Sequence, residues 1–578
     1  MTSAQPSIRY TLSMNHPETH LFEVEMHVDG MISQTVDLHM PAWRTGRYVI
    51  FDFSGGVQEF CACDEKGDTL PFKKINKDTW HVEKGKAKSI VATYKVYANE
   101  FNQRTRELND EHAFLDPAAV FMYVDELKTL PLELNVIPHD QWHVTTGLDE
   151  VEEKKFTFAS PNFEHFIDCP LEIGNQKDFQ FTVDGKQHIL SIYGNGNWNA
   201  DTLITDLTKI IMANKEFWGE LPYKKYIFQI HCQPNAGGGT EHINSTIIGI
   251  RPFVFVNKES YKNFLGLISH EYFHTWNVKQ LRPKAFAPYD LSKENYTEEL
   301  WISEGTTSYF DELLLVDAGL LPSKEFVDKI PQMINNDRSR HGNSIQPLSE
   351  SSFDAWVKFW RGKQNALNAQ SDYYGKGAAV SLLLDLEIRH RSQNKSSLQS
   401  VMKAMFHRYP MTKGFTNADF QHVCEEFTEG SLTEFFRDYL YGTASLPWER
   451  VLDYAGFTVT VKDSTKKIGL GIALQDVNDK VRITNVTPNS PGEKAGLDIN
   501  DEIVALNGYR ARSSEINDRI SELKAGDDMT FTVFRNDKLM ERRVKLEYFG
   551  TAAYAVQKKV NPTALQRAIY EGWLKEKF

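Results

Sequence analysis

Apolar and polar residues alternate through the first 170 positions. LFEVEMHV (21–28), SIVATYKVYA (89–98) and LELNVI (132–137) set an apolar side chain at every second residue, the repeat of strands buried on one face. A β-rich N-terminal domain over 1–170 is the expectation. From about 200 the repeat lengthens. DTLITDLTKIIMANKEFWGEL predicts an amphipathic helix, and KYIFQIHCQ after it a buried strand. These open a mixed α/β region over 171–456 whose later part turns helical, in GAAVSLLLDLEIRHR, SLQSVMKAMFHRY and SLTEFFRDYLYG. Short strands and glycine turns return over 457–548. The last stretch, 549–578, contains NPTALQRAIYEGWLKEKF, whose Asn-Pro start and helical spacing predict a terminal helix packed back on another domain. The fold class is multidomain α+β.

Composition narrows the partners. At 578 residues the chain exceeds what one core fills, and 41% hydrophobic with 25% charged residues is ordinary for folded proteins. A formal charge of −13 and a pI near 5.8 exclude nucleic acid and anionic membrane as main partners, since neither offers a counter-charge. The five cysteines are odd in number and lack CxxC spacing, which suits reduced thiols in a cytosol-like compartment. MTSAQPSIRYTLSMNHPETH shows no signal peptide, and no stretch reaches the ~18 apolar residues of a membrane span. A cytoplasmic location is the expectation, and nothing sets an oligomeric state.

Chemistry enters at LISHEYFHTWN. His270 and His274 stand four apart, so on a helix both imidazoles project from one face, and Glu271 beside them can reach a metal-bound water. A hydrolytic zinc keeps three protein ligands and an open position. The downstream donors are Glu294, Glu298, Glu299 and Glu304. Glu304 is favoured because Ser303, Gly305, Thr306 and Thr307 around it are small and allow close approach to the HEYFH helix, while the other three read as a solvated acidic turn.

Two further segments gain meaning from that site. In NAGGGTEHINST (235–246), Gly238 and Gly239 let the backbone approach a ligand and Glu241 follows. A carboxylate there can hold the ammonium of a peptide with a free N-terminus. In SDYYGKGAAV, Tyr374 precedes a helix, where its phenol can donate to a developing oxyanion.

Taken together, MPAWRTGRYVIFDF, EFWGELPYKKYIFQIH, GGGTEH, HEYFHTWNVKQLRP, LWISEGTTSYF, YYGKGA and FFRDYLYGTASLPW resemble the family 61 metallopeptidases. This is the glycyl aminopeptidase family, distantly related to the alanyl aminopeptidases and leukotriene hydrolase. The resemblance implies a thermolysin-like catalytic domain with one Zn2+ per chain. By it His270, His274 and Glu304 are the ligands, Glu271 the general base, Glu241 the amine-binding glutamate and Tyr374 the oxyanion tyrosine. It also implies a preference for small N-terminal residues such as Gly or Ala. Two departures stand out. The 29 residues between His274 and Glu304 exceed the spacer of the better known relatives, and His242 stands where the related motif has asparagine. His242 is open between substrate contact and packing.

KIGLGIAL (467–474) and SPGEKAGLDINDEIVALNG (490–508) look like a PDZ domain. Such a domain adds a peptide C-terminus as a strand, with loop amides near Leu470, Gly471 and Ile472 receiving its carboxylate, unless it only packs on the catalytic part. Two other functions compete with the aminopeptidase: a zinc endopeptidase of the same fold, and a PDZ scaffold carrying an inert peptidase domain.

Overall fold

The strand-period segments pair as their alternation requires. In Leu21–Asp29 every second residue, Phe22, Val24, Met26 and Val28, is buried, and the strand lies antiparallel to Ser7–Ser13 on one side and Ser89–Tyr97 on the other. They belong to a seven-stranded sheet in the N-terminal β-rich part, flanked by a three-stranded sheet. The computed structural model describes residues 5–463, 468–550 and 552–578. Residues 1–4, at the head of the first stretch, and Lys467, which opens KIGLGIAL, lie outside the described residues.

Two compact units divide the chain. The first comprises the residues up to Asn295 with Phe310–Leu321 and Met405–Phe415; the second comprises Tyr296–Tyr309, Pro322–Ala404 and everything from Thr416.

Besides the sheets already named, the first unit holds two five-stranded sheets. One runs in the order His143–Thr146, Leu171–Gly174, His112–Leu115, Arg106–Leu108, Asn99–Glu100. The other is built on three parallel strands, Lys186–Tyr193, Lys225–Cys232 and Ser245–Ile250. Its edge is the short antiparallel strand Gly239–Glu241. The predicted amphipathic helix is Ala200–Trp218, capped by the Asn199 side chain at its start and by Gly219 in the left-handed region at its end. The histidine helix, Lys258–Phe273, begins at an Asn257 cap. Its Tyr272 packs edge-on to Tyr226 and against Phe228 of the central parallel strand, which fixes the helix over one face of this sheet.

In the second unit, Gly375–Arg391 is buried on nearly all sides, as an apolar helix at the centre of a helical part must be. The terminal helix Ala564–Leu574 starts on a Thr563/Gln566 capping box. Its Trp573 Nε1 donates to Tyr309 Oη at 2.9 Å, and Tyr309 donates in turn to Asp385 Oδ2 in Gly375–Arg391 at 2.6 Å. The predicted docking of the C-terminal helix onto an earlier part of the chain therefore rests on a buried tryptophan and a chain of hydrogen bonds. Between them lies a small β domain with its own core of Ile483, Ile503, Leu506, Ile516, Phe531, Val533 and Val544. The architecture is α+β and multidomain throughout. Among the described residues no helix is long and apolar enough to cross a membrane, and all five cysteines are free.

Candidate active site

His270 and His274 lie on the last turn of the helix Lys258–Phe273 and just past it, their ring centroids 4.7 Å apart. Each imidazole is already engaged through Nδ1. His270 Nδ1 donates to Asp311 Oδ2 at 3.0 Å and His274 Nδ1 to the Asn277 carbonyl at 2.7 Å. A carbonyl only accepts, so the His274 proton sits on Nδ1 and the lone pair of the ring on Nε2. Asp311 is itself fixed, because Ser269 Oγ donates to its carbonyl at 2.7 Å.

Glu271, between the histidines, is buried at 6% exposure. Its side chain lies directly against Gly239: a Cβ built there would come within 2.6 Å of Glu271 Cγ and Oε1. Burial pushes the Glu271 carboxyl up to about 7, with Glu241 adding to the effect and His270, His274 and Arg104 opposing it. Glu241 closes the edge strand and is buried at 4%. The backbone of Gly46, at φ +84°, passes so close that a Cβ would lie 2.4 Å from Glu241 Oε1. Arg104 Nη2 donates to the Gly239 carbonyl. The first unit thus brings Glu241, Gly239, Glu271 and both histidines together, while Gly238, at φ +83°, supplies the turn into the edge strand.

His242 faces the other way. Arg44 Nη2 donates to its Nε2 at 3.3 Å and its Nδ1 donates to Asp168 Oδ1 at 3.1 Å. Burial, with Arg44 helping, holds the ring below its ordinary pKa despite Asp168, which fits this neutral tautomer. Arg44 also donates to Asp116 at 2.7 Å and to Thr240 Oγ1 at 2.6 Å, and Lys279 Nζ reaches Asp168 at 2.7 Å. The network holds the backbone on either side of Glu241. Burial works against ionised Asp168, but Lys279 and His242 outweigh it and keep the carboxyl well below the usual aspartate range. A depressed folded-state pKa gives stability that is present above the unfolded value and lost as pH falls through the folded one. Asp168→Asn is expected to cost about 3 kcal/mol at pH 7. The difference from wild type should narrow once the pH drops below about 4, as read from paired denaturation curves.

In the second unit, Glu304 sits in a π-helical turn, Trp301–Thr306, and is buried at 3%. Such single π turns place a side chain out of the regular helical register. Gly305 in the same turn lies against Gly377 of the helix Gly375–Arg391, where a Cβ would meet the Gly377 Cα at 2.5 Å. Thr306 Oγ1 meets Ser381 Oγ at 2.8 Å. These small residues therefore serve a close helix crossing with Gly375–Arg391, a partner that differs from the expected HEYFH helix. Another expectation is corrected: Glu299 is buried at 9%, because it accepts from the Asn417 amide at 3.0 Å and from Thr297. Only Glu298 of the remaining acidic residues is exposed, Glu294 being half-buried. Tyr374 is half-buried just ahead of Gly375–Arg391, in a cluster with Phe359, Trp360 and Tyr373. Tyr373 is fully buried and accepts from Trp360 Nε1 at 2.8 Å. Burial raises its phenol well above the ordinary value, with nearby Glu304 adding to this.

Comparison with known proteins bears on these residues. Residues 9–175 match the Peptidase M61 N-terminal domain, 263–380 match M61 glycyl aminopeptidase, and 469–546 match a PDZ domain. The crystal structure of an aminopeptidase N family protein from Idiomarina loihiensis superposes with a TM-score of 0.90 at 29% identity, over 98% of this chain and all of that one. The chain belongs to the M61 peptidase family. An M1 zinc metallopeptidase from Deinococcus radiodurans is more remote, with a TM-score of 0.48 at 11% identity, covering 77% of the M61 chain and 96% of that protein. A probable CtpA-like serine protease of Staphylococcus aureus is 26% identical over 94 residues, 16% of this chain. The match spans only 19% of that protein's length.

Several members of the site of this M61 chain carry no sequence motif. Asp311 was legible in principle: it falls seven residues after Glu304 in EGTTSYFDELLL, about two helical turns on. Arg44, Arg104 and Asp168 come from the β-rich part and carry no local signal. In the PDZ domain, among the described residues, the strand Ile472–Val477 pairs on one side only, with Lys480–Val486, and so forms the sheet's edge. The turn before it is fixed by Gly492 N donating to the Leu470 carbonyl and Thr487 N to that of Gly471. Gly471, at φ +66° and pressed against Ser490, admits no side chain.

With His270 read as a metal ligand, Asp311→Asn is expected to weaken zinc binding about 10- to 100-fold, as loss of an outer partner of a ligating histidine does. Competition with a metal-buffered indicator measures it.

Proposed function

We propose that this protein is a zinc aminopeptidase in which His270, His274 and Glu304 hold one zinc ion and the N-terminal residue of a peptide is removed by hydrolysis. The observation that carries the reading is the pair of Nδ1 hydrogen bonds, to Asp311 and to the Asn277 carbonyl. Such outer partners fix the tautomer in which Nε2 is a metal ligand. Glu304 is supported by its place in the chain. Asp311, which holds His270, follows it by only seven residues, at the end of the π turn and the start of the helix Thr307–Asp317. Two neutral imidazoles and a carboxylate suit zinc with a position left open.

When bound, the zinc supplies Lewis acidity toward the scissile carbonyl and makes water a better nucleophile at neutral pH. Glu271 takes a proton from the attacking water on a carboxylate oxygen and returns it to the leaving amine nitrogen. Burial among apolar and charged neighbours raises the affinity of this carboxylate for a proton, as a base working near neutrality requires. Tyr374 donates its phenolic proton in a hydrogen bond to the oxyanion. Glu241 binds the substrate ammonium and so sets the cut one residue from the terminus. Gly239 and the edge strand offer backbone groups to the peptide beside it. A preference for an N-terminal Gly accords with the family's description. The PDZ edge strand Ile472–Val477 and the turn at Leu470–Ile472 suit an extended peptide C-terminus.

The test compares an alanyl or glycyl arylamide with its N-acetylated form. Turnover of the free amine alone, lost on chelation and restored by zinc, is the expected result. Equal cleavage of blocked peptides would assign an endopeptidase instead.

A further inference from the structure

A second convergence of metal-ligating side chains lies in the first unit, apart from the histidine helix. His112 opens the strand His112–Leu115, Glu172 lies in the neighbouring antiparallel strand Leu171–Gly174, and His231 comes from the central parallel strand Lys225–Cys232. The three side chains therefore join the two five-stranded sheets. All stand on regular strands, and none is more than 1% exposed. One donor atom from each lies within 4.8 Å of the others.

The carboxylate sits between the rings. Its Oε1 is 2.5 Å from His112 Nε2 and its Oε2 is 2.8 Å from His231 Nε2. Only the second contact is a hydrogen bond. The first has the distance of one but not the direction, and His112 Nε2 and Glu172 Oε1 both count among the buried atoms with no hydrogen-bond partner. His112 Nδ1 and His231 Nδ1 are also buried without partners, an unusual concentration of unsatisfied polar atoms for a folded interior. Aromatic rings wall the cluster: Tyr193 stacks on His112 with centroids 3.7 Å apart, and Phe101 and Phe114 each lie 4.9 Å from His231. The carboxylate is thus enclosed between two imidazoles inside an aromatic wall.

We propose that His112, Glu172 and His231 form a second, non-catalytic site for a divalent cation of the zinc type, which clamps the N-terminal five-stranded sheet to the catalytic one. Two imidazoles and one carboxylate are a ligand set for first-row divalent metals. The cation neutralises the buried carboxylate and takes up the lone pairs left unused. Its position has a consequence for the neighbouring site. Phe101, which packs on His231, begins the segment that leads to Arg104, and Arg104 holds the Gly239 carbonyl.

Metal content separates this site from the active centre. The full-length protein, purified without chelator and dialysed against zinc, is analysed by plasma mass spectrometry as wild type, His274→Ala and Glu172→Gln. About two zinc equivalents in wild type, with about one left in either variant, is the expected result. One equivalent in wild type and none in His274→Ala overturns the second site and leaves the active-site reading standing. One equivalent in wild type that persists in His274→Ala but is lost in Glu172→Gln supports the second site and sinks the other. No zinc in wild type overturns both. Should Glu172→Gln fail to fold, the His274→Ala stoichiometry still decides. Cobalt in place of zinc gives a second readout, since His274→Ala should keep a visible d–d band that Glu172→Gln in the same background abolishes.

Discussion

Glu271→Gln is expected to lower kcat by about 10²- to 10⁴-fold, the range for removal of a general base, with zinc content unchanged from wild type. Glutamine keeps the shape of the side chain, which matters because Glu271 lies pressed against Gly239. What it loses is the capacity to accept a proton. On the proposed ligand set, zinc affinity rests on His270, His274 and Glu304 and not on this carboxylate. The measurements are steady-state kinetics on a free-amine arylamide and metal analysis of the same sample. An equal loss of zinc and of turnover would make Glu271 part of metal retention and remove it from proton transfer. KM should change little, because a base acting in the transition state adds little to ground-state binding.

The second large effect is selective. Glu241→Gln is expected to lower kcat/KM for free-amine substrates about 10²-fold, the worth of a hydrogen bond to a charged group at about 1.5–3 kcal/mol. Residual cleavage of N-acetylated peptides should be unaffected. The side chain is confined by Gly46, whose backbone lies against its carboxylate, and its strand is held by Arg44 through Thr240. Glutamine fits that space, so the substitution tests charge and not packing. A parallel fall on blocked substrates would show Glu241 acting on the fold of the site. Arg44 and His242 hold the strand that carries it, so replacing either should shift KM and kcat together and should not discriminate free from blocked amines.

Legibility varied with the distance over which each feature is encoded. Strand segments such as Leu21–Asp29 and the helix Ala200–Trp218 followed from period alone, because alternation and the 3.6-residue repeat are local consequences of one buried face. HEYFH was legible for the same reason: four residues bring two imidazoles to one side of a helix. In the acidic run at 294–299 the structure departs from the expectation at one residue. Glu299 looks like a solvated first-turn residue, and only the arrival of the Asn417 amide, 118 positions later, accounts for its burial. The role given to Gly305 changed similarly, since smallness announces a close approach without naming the element that approaches.

The sequence by itself determined the types and order of the elements, the spacing of His270, Glu271 and His274, and the membership of one family. Tertiary structure alone decided which carboxylate steadies His270, which backbone lies against Glu241 and Glu271, and what surrounds His242. It also joined His112, Glu172 and His231, which no motif connects. The reason is physical: a contact between residues 59 to 196 positions apart, as between His231 and Glu172 or Arg44 and Thr240, depends on how whole sheets and helices pack. No local run of residues carries that information.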